Sequence, residues 1–80
     1  MEREIRQEME MKELKKGMVV RKSGGEIVRV QGVSEDIKNG RPGFWGIQLD
    51  ESMNEVPSFF EKGKGLELWG YMYDIVSIIE

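Results

Sequence analysis

Apolar positions along this chain fall into short runs with a period near two, broken by glycine-rich or polar stretches, a pattern of strands rather than helices. Met18-Val19-Val20-Arg21-Lys22 is β-branched and stops at Ser23-Gly24-Gly25, where glycine supplies a positive φ at no steric cost. Glu26 to Val33 returns from that turn with Val28 and Val30 on one side and Arg29 and Gln31 on the other. These two runs predict a β-hairpin. Ser34 to Gly43 reads as a polar loop holding two turn-forming pairs, Asn39-Gly40 and Pro42-Gly43. In the next run Trp45, Ile47 and Leu49 share one face while Phe44, Gly46, Gln48 and Asp50 share the other, and the face of Trp45 is placed inward. Glu51 to Gly65 reads as a long loop whose Val56, Phe59 and Phe60 are apolar enough to pack down onto the domain. Leu66 to Trp69 predicts a further strand with Leu66 and Leu68 inward. Tyr71 to Asp74 predicts a tight turn, and Ile75 to Ile79 a last strand.

The N-terminal stretch has another texture. Residues 2 to 16 carry Glu2, Glu4, Glu8, Glu10 and Glu13 against Arg3, Arg6, Lys12, Lys15 and Lys16, with no glycine or proline. Glu2 and Arg6, like Glu8 and Lys12, stand four apart with the acid first, the favourable order on a helix. Residues 1–13 therefore read as a short helix or an arm, and residues 14–80 as one small β domain. Several short strands, an early hairpin and a terminal strand predict a mainly β fold, a small SH3-like barrel of about five strands. An OB-type barrel, with longer strands, is the runner-up.

Composition narrows the function. Eighty residues are one domain with a thin core. No run of eighteen apolar residues occurs, so no transmembrane helix is expected, and no signal-peptide core follows Met1-Glu2-Arg3-Glu4. A cytoplasmic protein without membrane contact is the expectation. Without cysteine or histidine, thiolate and imidazole chemistry are excluded. The serines sit in no G-x-S-x-G setting, nothing positions the acid pairs Glu35-Asp36 and Asp50-Glu51 for glycosidic work, and Asp50, Glu51 and Glu55 lack the spacing of a calcium loop. Gly63-Lys64-Gly65 precedes a strand, not a helix, and is no phosphate loop. These observations predict a non-catalytic module with no cofactor and no metal.

Candidate binding residues come from the bases and the rings. Arg21, Lys22 and Arg29 lie on or beside paired strands, with Arg41 on a nearby loop. Arginines beside exposed aromatics can grip phosphate and stack on bases. Residues 17–80 nevertheless hold seven bases against ten acids, and net charge is −3 for the whole chain, which disfavours a polynucleotide and leaves room for a compact anionic ligand. Seven rings (Phe44, Trp45, Phe59, Phe60, Trp69, Tyr71 and Tyr73) exceed what so thin a core can take. Trp45 and one of Phe59 or Phe60 are assigned to the core. Trp69 and Tyr71, across Gly70 from inward leucines, are assigned to the outer face, where exposed Trp and Tyr mark interfaces. The candidate site is thus Arg21, Arg29, Arg41, Trp69, Tyr71 and Tyr73.

Leu14-Lys15-Lys16-Gly17-Met18-Val19-Val20, a strand-glycine-strand hairpin and a closing Tyr73-Asp74-Ile75-Val76-Ser77-Ile78 resemble a family of short phage and prophage proteins of unknown function. The resemblance covers the two ends of the chain. It implies a phage or mobile-element accessory protein, in the host cytoplasm, that binds a host protein and acts, in some such proteins, against host defence. Two alternatives stand beside it: an oligomeric sponge that sequesters an anionic nucleotide signal, and a nucleic-acid adaptor. Self-association is also expected, because Ile75-Val76-Ser77-Ile78-Ile79 is apolar on both faces and strands of that kind are normally covered on both sides.

Overall fold

The computed structural model describes residues 2–4 and 13–79. They form a small, mainly β domain with six strands: β1 (Glu2–Glu4), β2 (Val19–Lys22), β3 (Ile27–Lys38), β4 (Arg41–Leu49), β5 (Glu67–Tyr71) and β6 (Ile75–Ile79), with a 3-10 turn at Met72–Asp74 between the last two. All pair antiparallel in one sheet of order β1-β6-β2-β3-β4-β5. The edges β1 and β5 do not pair with each other, so the sheet is open and no closed barrel forms.

The early hairpin forms as its pattern dictates. Val20 stands opposite Val28, and the turn closes through Gly25 N–H to the Lys22 carbonyl at 2.8 Å, with Gly25 at φ +96°. The second hairpin differs from expectation. Ser34–Lys38 is not loop but the end of a twelve-residue β3, and Asn39-Gly40 alone makes the turn, with φ of 57° and 71°. Two positive φ angles define the turn type whose twist matches flanking strands, so Asn-Gly lets the hairpin run to its tip. Pro42 and Gly43 lie inside β4, beside a register shift between Ser34 and Lys38 where proline's missing N–H is tolerated.

One face of the sheet carries the core: Val20, Val28, Val30, Phe44, Ile75 and Ile78, with Leu14 before β2 and Met72 of the 3-10 turn. Trp45 is not among them. Phe44 is fully buried and Trp45 is 40% exposed. The register shift between Val30 and Gly32 in β3, opposite β4, sets the phase of β4 so that Phe44 faces the core and lies against Gly70 of β5. Ile47 and Leu49 are also buried but lie outside this cluster, on the phase of Trp45.

Two further expectations fail. Phe59 and Phe60 do not pack down; they are 82% and 90% exposed at the tip of the β4–β5 connection. That connection satisfies its own backbone: Asp50 Oδ1 accepts from the amides of Ser52 and Asn54, and Ser58 Oγ accepts from those of Phe60 and Glu61. Isolated bridges Leu49–Glu55 and Pro57–Gly65 hold the connection as an extension of the sheet, so its tip projects. Glu2–Glu4, read as helix or arm, is a strand beside β6, while residues 1 and 5–12 of the expected helix or arm over 1–13 lie outside the described residues.

Candidate functional site: an aromatic strip on the outer face

Strand alternation places Trp69 and Tyr71 of β5 on the face opposite Leu68 and Gly70. Trp45 of β4 stands directly opposite Trp69, and both indoles are about two-fifths exposed (40% and 45%). Gly32 makes room for this. A Cβ at position 32 would come within 2.2 Å of the Trp45 ring, so the indole lies against bare backbone of β3. Trp69 meets Tyr71 edge to face at 5.3 Å between centroids, and Tyr71 stacks on Tyr73 at 5.0 Å with the rings 11° from parallel. Both arrangements are favoured geometries for ring pairs. Tyr73 is carried on the 3-10 turn, which is pinned because the Tyr71 amide donates to Asp74 Oδ2 at 3.2 Å. Trp69, Tyr71 and Tyr73 therefore make one row of rings in contact, held by a strand and a turn, with Trp45 opposite Trp69 on the same face and leaning over β3, and Tyr73 is 52% exposed.

Cations stand at one part of this row. Lys38 Nζ lies 5.7 Å from the centre of the Trp69 ring, a cation–π distance. Arg41 Nη1 donates to the Tyr73 hydroxyl at 3.3 Å. Lys38 and Arg41 are register partners flanking the Asn39-Gly40 turn, so the extended hairpin is what brings them there.

The other two candidate arginines are spent elsewhere. Arg21 gives its Nε and Nη2 to the two Glu2 carboxylate oxygens at 2.7 and 3.1 Å, and its Nη1 to Glu51 and the Gly25 carbonyl. Bonds accepted from Arg21 and then from Ser77 hold the Glu2 carboxyl well below its ordinary value, at about 2, and the bonds to Glu2 and then to Glu51 raise the Arg21 guanidinium further. Arg29 pairs with Glu55. It lies near the start of β3, whereas Lys38 ends that strand.

Of the six residues singled out from sequence, Arg41, Trp69, Tyr71 and Tyr73 come together; Arg21 and Arg29 do not join them. Trp45 and Lys38 were missed. The Asn-Gly pair was the available signal for Lys38, since it predicts a hairpin with strands running up to it. For Trp45 the signal was the isolated Gly32 inside a strand pattern, which marks a close approach from a neighbour.

A separate concavity of about 600 Å³ lies between the Phe60 loop and the sheet, lined by Ile47, Leu66, Gln31 and Phe60 with the carboxylates Glu55, Glu61 and Glu67. None of the four rings of the strip lines it. Among the described residues no group of acidic side chains is arranged to hold a metal ion, and no helix is long and apolar enough to cross a membrane. Comparison with protein-family models, curated proteins and solved structures returns no match.

Proposed function

We propose that this chain is a non-catalytic recognition module that holds its partner on the strip formed by Trp45, Trp69, Tyr71 and Tyr73. The row of rings is the observation that carries the reading. Large rings left partly exposed on paired strands and the turn that follows them have few side-chain torsions to lose on binding, and Trp and Tyr dominate the energetics of interfaces. The strand order β6-β2-β3-β4-β5, with a 3-10 turn before the last strand and a long β3 shared along the sheet, supports an SH3-like roll as the scaffold. The likeness of the chain ends to phage and prophage proteins supplies the setting: an accessory protein in the host cytoplasm that acts by holding a host factor. Self-association rests on the same rings rather than on β6, whose Ile75 and Ile78 are buried within the chain.

Native mass spectrometry of the tagged protein recovered from host lysate tests this reading, beside a Trp69→Ala variant whose thermal melt matches the unmodified chain. A retained partner that disappears with Trp69→Ala is the expected result. Retention unaffected by Trp69→Ala and by Tyr71→Ala would remove the strip from the function.

A further inference from the structure

We infer that the ligand of the strip is a nucleotide, a flat base bearing phosphate, free or within a single strand. This deepens the reading above and rests on the strip as the recognition surface.

The argument begins with how the cations are distributed. Arg21 and Arg29 are each neutralised by a carboxylate, Glu2 with Glu51 and Glu55 respectively. Among the described residues, Lys38 and Arg41 make no ion pair; their partners are the Trp69 face and the Tyr73 hydroxyl. In a chain with an excess of acids, these two cations stand beside the rings outside any ion pair. The acids nearest in sequence, Glu35, Asp36 and Glu67, form no ion pair with either cation among the described residues. Asp36 accepts from the Gly40 amide in the hairpin turn, and Glu67, two residues before Trp69, lines the separate concavity.

That combination selects among ligand chemistries. A cationic ligand, which bare rings would otherwise attract, meets Lys38 already lying over Trp69 and is repelled by Arg41. A neutral apolar ligand would make no use of either cation. An anion without a ring would need the cations and leave the four rings idle. A nucleotide uses both, because every base has a π face for the indoles and tyrosines, and its phosphate takes the ammonium and guanidinium. Binding on ring faces makes stacking rather than base-edge reading dominate, giving weak dependence on base identity. Arginine at the Tyr73 end adds a planar donor pair suited to phosphate oxygens.

Trp45 and Trp69 are the only two tryptophans, so their fluorescence reports on the strip itself. The unmodified protein is titrated, at low and at moderate salt, with a short oligothymidylate, ATP, inorganic tripolyphosphate and a poly-glutamate peptide. Quenching by the oligothymidylate or by ATP, and by neither base-free polyanion, is the expected result. ATP binding as well as the oligonucleotide identifies a free nucleotide as sufficient; response to the oligonucleotide alone identifies a single strand. Two phosphate contacts predict a salt slope of only about −1.4 on logarithmic axes for a strand. Trp69→Ala should weaken binding roughly tenfold or more, with Trp45 still reporting. Arg41→Glu, at an exposed position, should weaken it comparably with an unchanged melt, and carries the test should Trp69→Ala fail to fold. Equal binding of tripolyphosphate or poly-glutamate overturns the inference, as does absence of quenching by both nucleotide probes at millimolar concentration and low salt. A factor retained from lysate and lost with Trp69→Ala, together with no nucleotide binding, leaves the strip in place and removes only the nucleotide.

Discussion

The ammonium of Lys22, on β2, donates a hydrogen bond to the backbone carbonyl of Trp69, on β5, at 3.1 Å. These strands stand three places apart in the sheet order, so the bond exists only because the sheet rolls until its β5 edge faces β2. Alternation along β4 explains the free carbonyl. The Gln48 amide donates to the Leu66 carbonyl, which makes the even residues of β4 the bonded partners of β5 and directs the Trp69 carbonyl away from β4. The Lys22 stem reaches it over Gly70, where a Cβ would lie 3.0 Å from its Cε and 3.1 Å from the Phe44 ring. One lysine thus closes with a side chain what the backbone leaves open, and it does so behind the strip.

Lys22→Met keeps the stem and removes the donor. A hydrogen bond from a charged group contributes on the order of 1.5–3 kcal/mol, and a half-buried setting puts this one at the low end. The melting midpoint should fall by roughly 4–8 °C per kcal/mol lost, and amide exchange should quicken in β5 before it does in β3. Unchanged exchange in β5 would show that the roll does not depend on Lys22.

Core and surface exchange roles at positions 44 and 45. Phe44→Ala should remove about 3–5 kcal/mol, as expected for a fully buried ring, and a domain of this size has only about that much stability in total. The variant should lose its cooperative thermal transition. Trp45→Ala, at a ring 40% exposed, should remain folded with a cooperative melt and a smaller loss. Circular dichroism melts of the two proteins decide it, and an unfolded Trp45→Ala would return the indole to the core.

These two positions also show how far the sequence could be read. The hairpin at Gly24-Gly25, the inward Val28 and Val30, the 3-10 turn at Met72–Asp74 and the limits of β6 follow from local alternation and turn chemistry, which are short-range causes. The phase of β4 is not local. Phe44 and Trp45 are adjacent large rings, and both faces of β4 carry apolar residues, so periodicity is satisfied either way round. What decides is the register shift opposite Gly32 and the close approach to Gly70, both products of strand pairing. The candidate site divides in the same way. Trp69 and Tyr71 followed from alternation on β5. The fate of each arginine depended on which acid the fold brought near it, and Glu2 and Glu55 lie 19 and 26 residues from their partners.

Acid should weaken the β1 contact in a defined window. The Glu2 carboxyl is depressed from an ordinary value of 4.5 to about 2, first by its bonds from Arg21 and then by that from Ser77. A group whose folded value is lowered contributes stability above its unfolded value and loses it as pH falls toward the folded one. The contribution of Glu2 is therefore complete above about pH 5 and fades between 4.5 and 2. Glu2→Gln should lower the melting midpoint at pH 6 and bring the two proteins together by pH 2. Thermal melts across that range check it; a difference that persists undiminished at pH 2 would mean that the ion pair is not its source.

Gly32 offers a way to perturb the strip without touching any ring. Gly32→Ala places a methyl within 2.2 Å of Trp45, closer than real contacts allow, and the obstacle is the side of an indole with an exposed face toward which it can swing. The backbone conformation of Gly32 is an ordinary one, so the substitution carries no left-handed strain, and alanine even reduces the entropy of the unfolded chain. The expected result is a folded protein with a midpoint shifted by little more than about 1 kcal/mol, as for mild overpacking. Its Trp45 ring should be displaced from the row opposite Trp69. Emission should shift to longer wavelength as that indole enters water, and any ligand that spans both tryptophans should bind more weakly although Trp69, Tyr71 and Tyr73 are intact. Full binding in a folded Gly32→Ala protein with shifted emission would confine the recognition surface to Trp69, Tyr71 and Tyr73 and take Trp45 out of it.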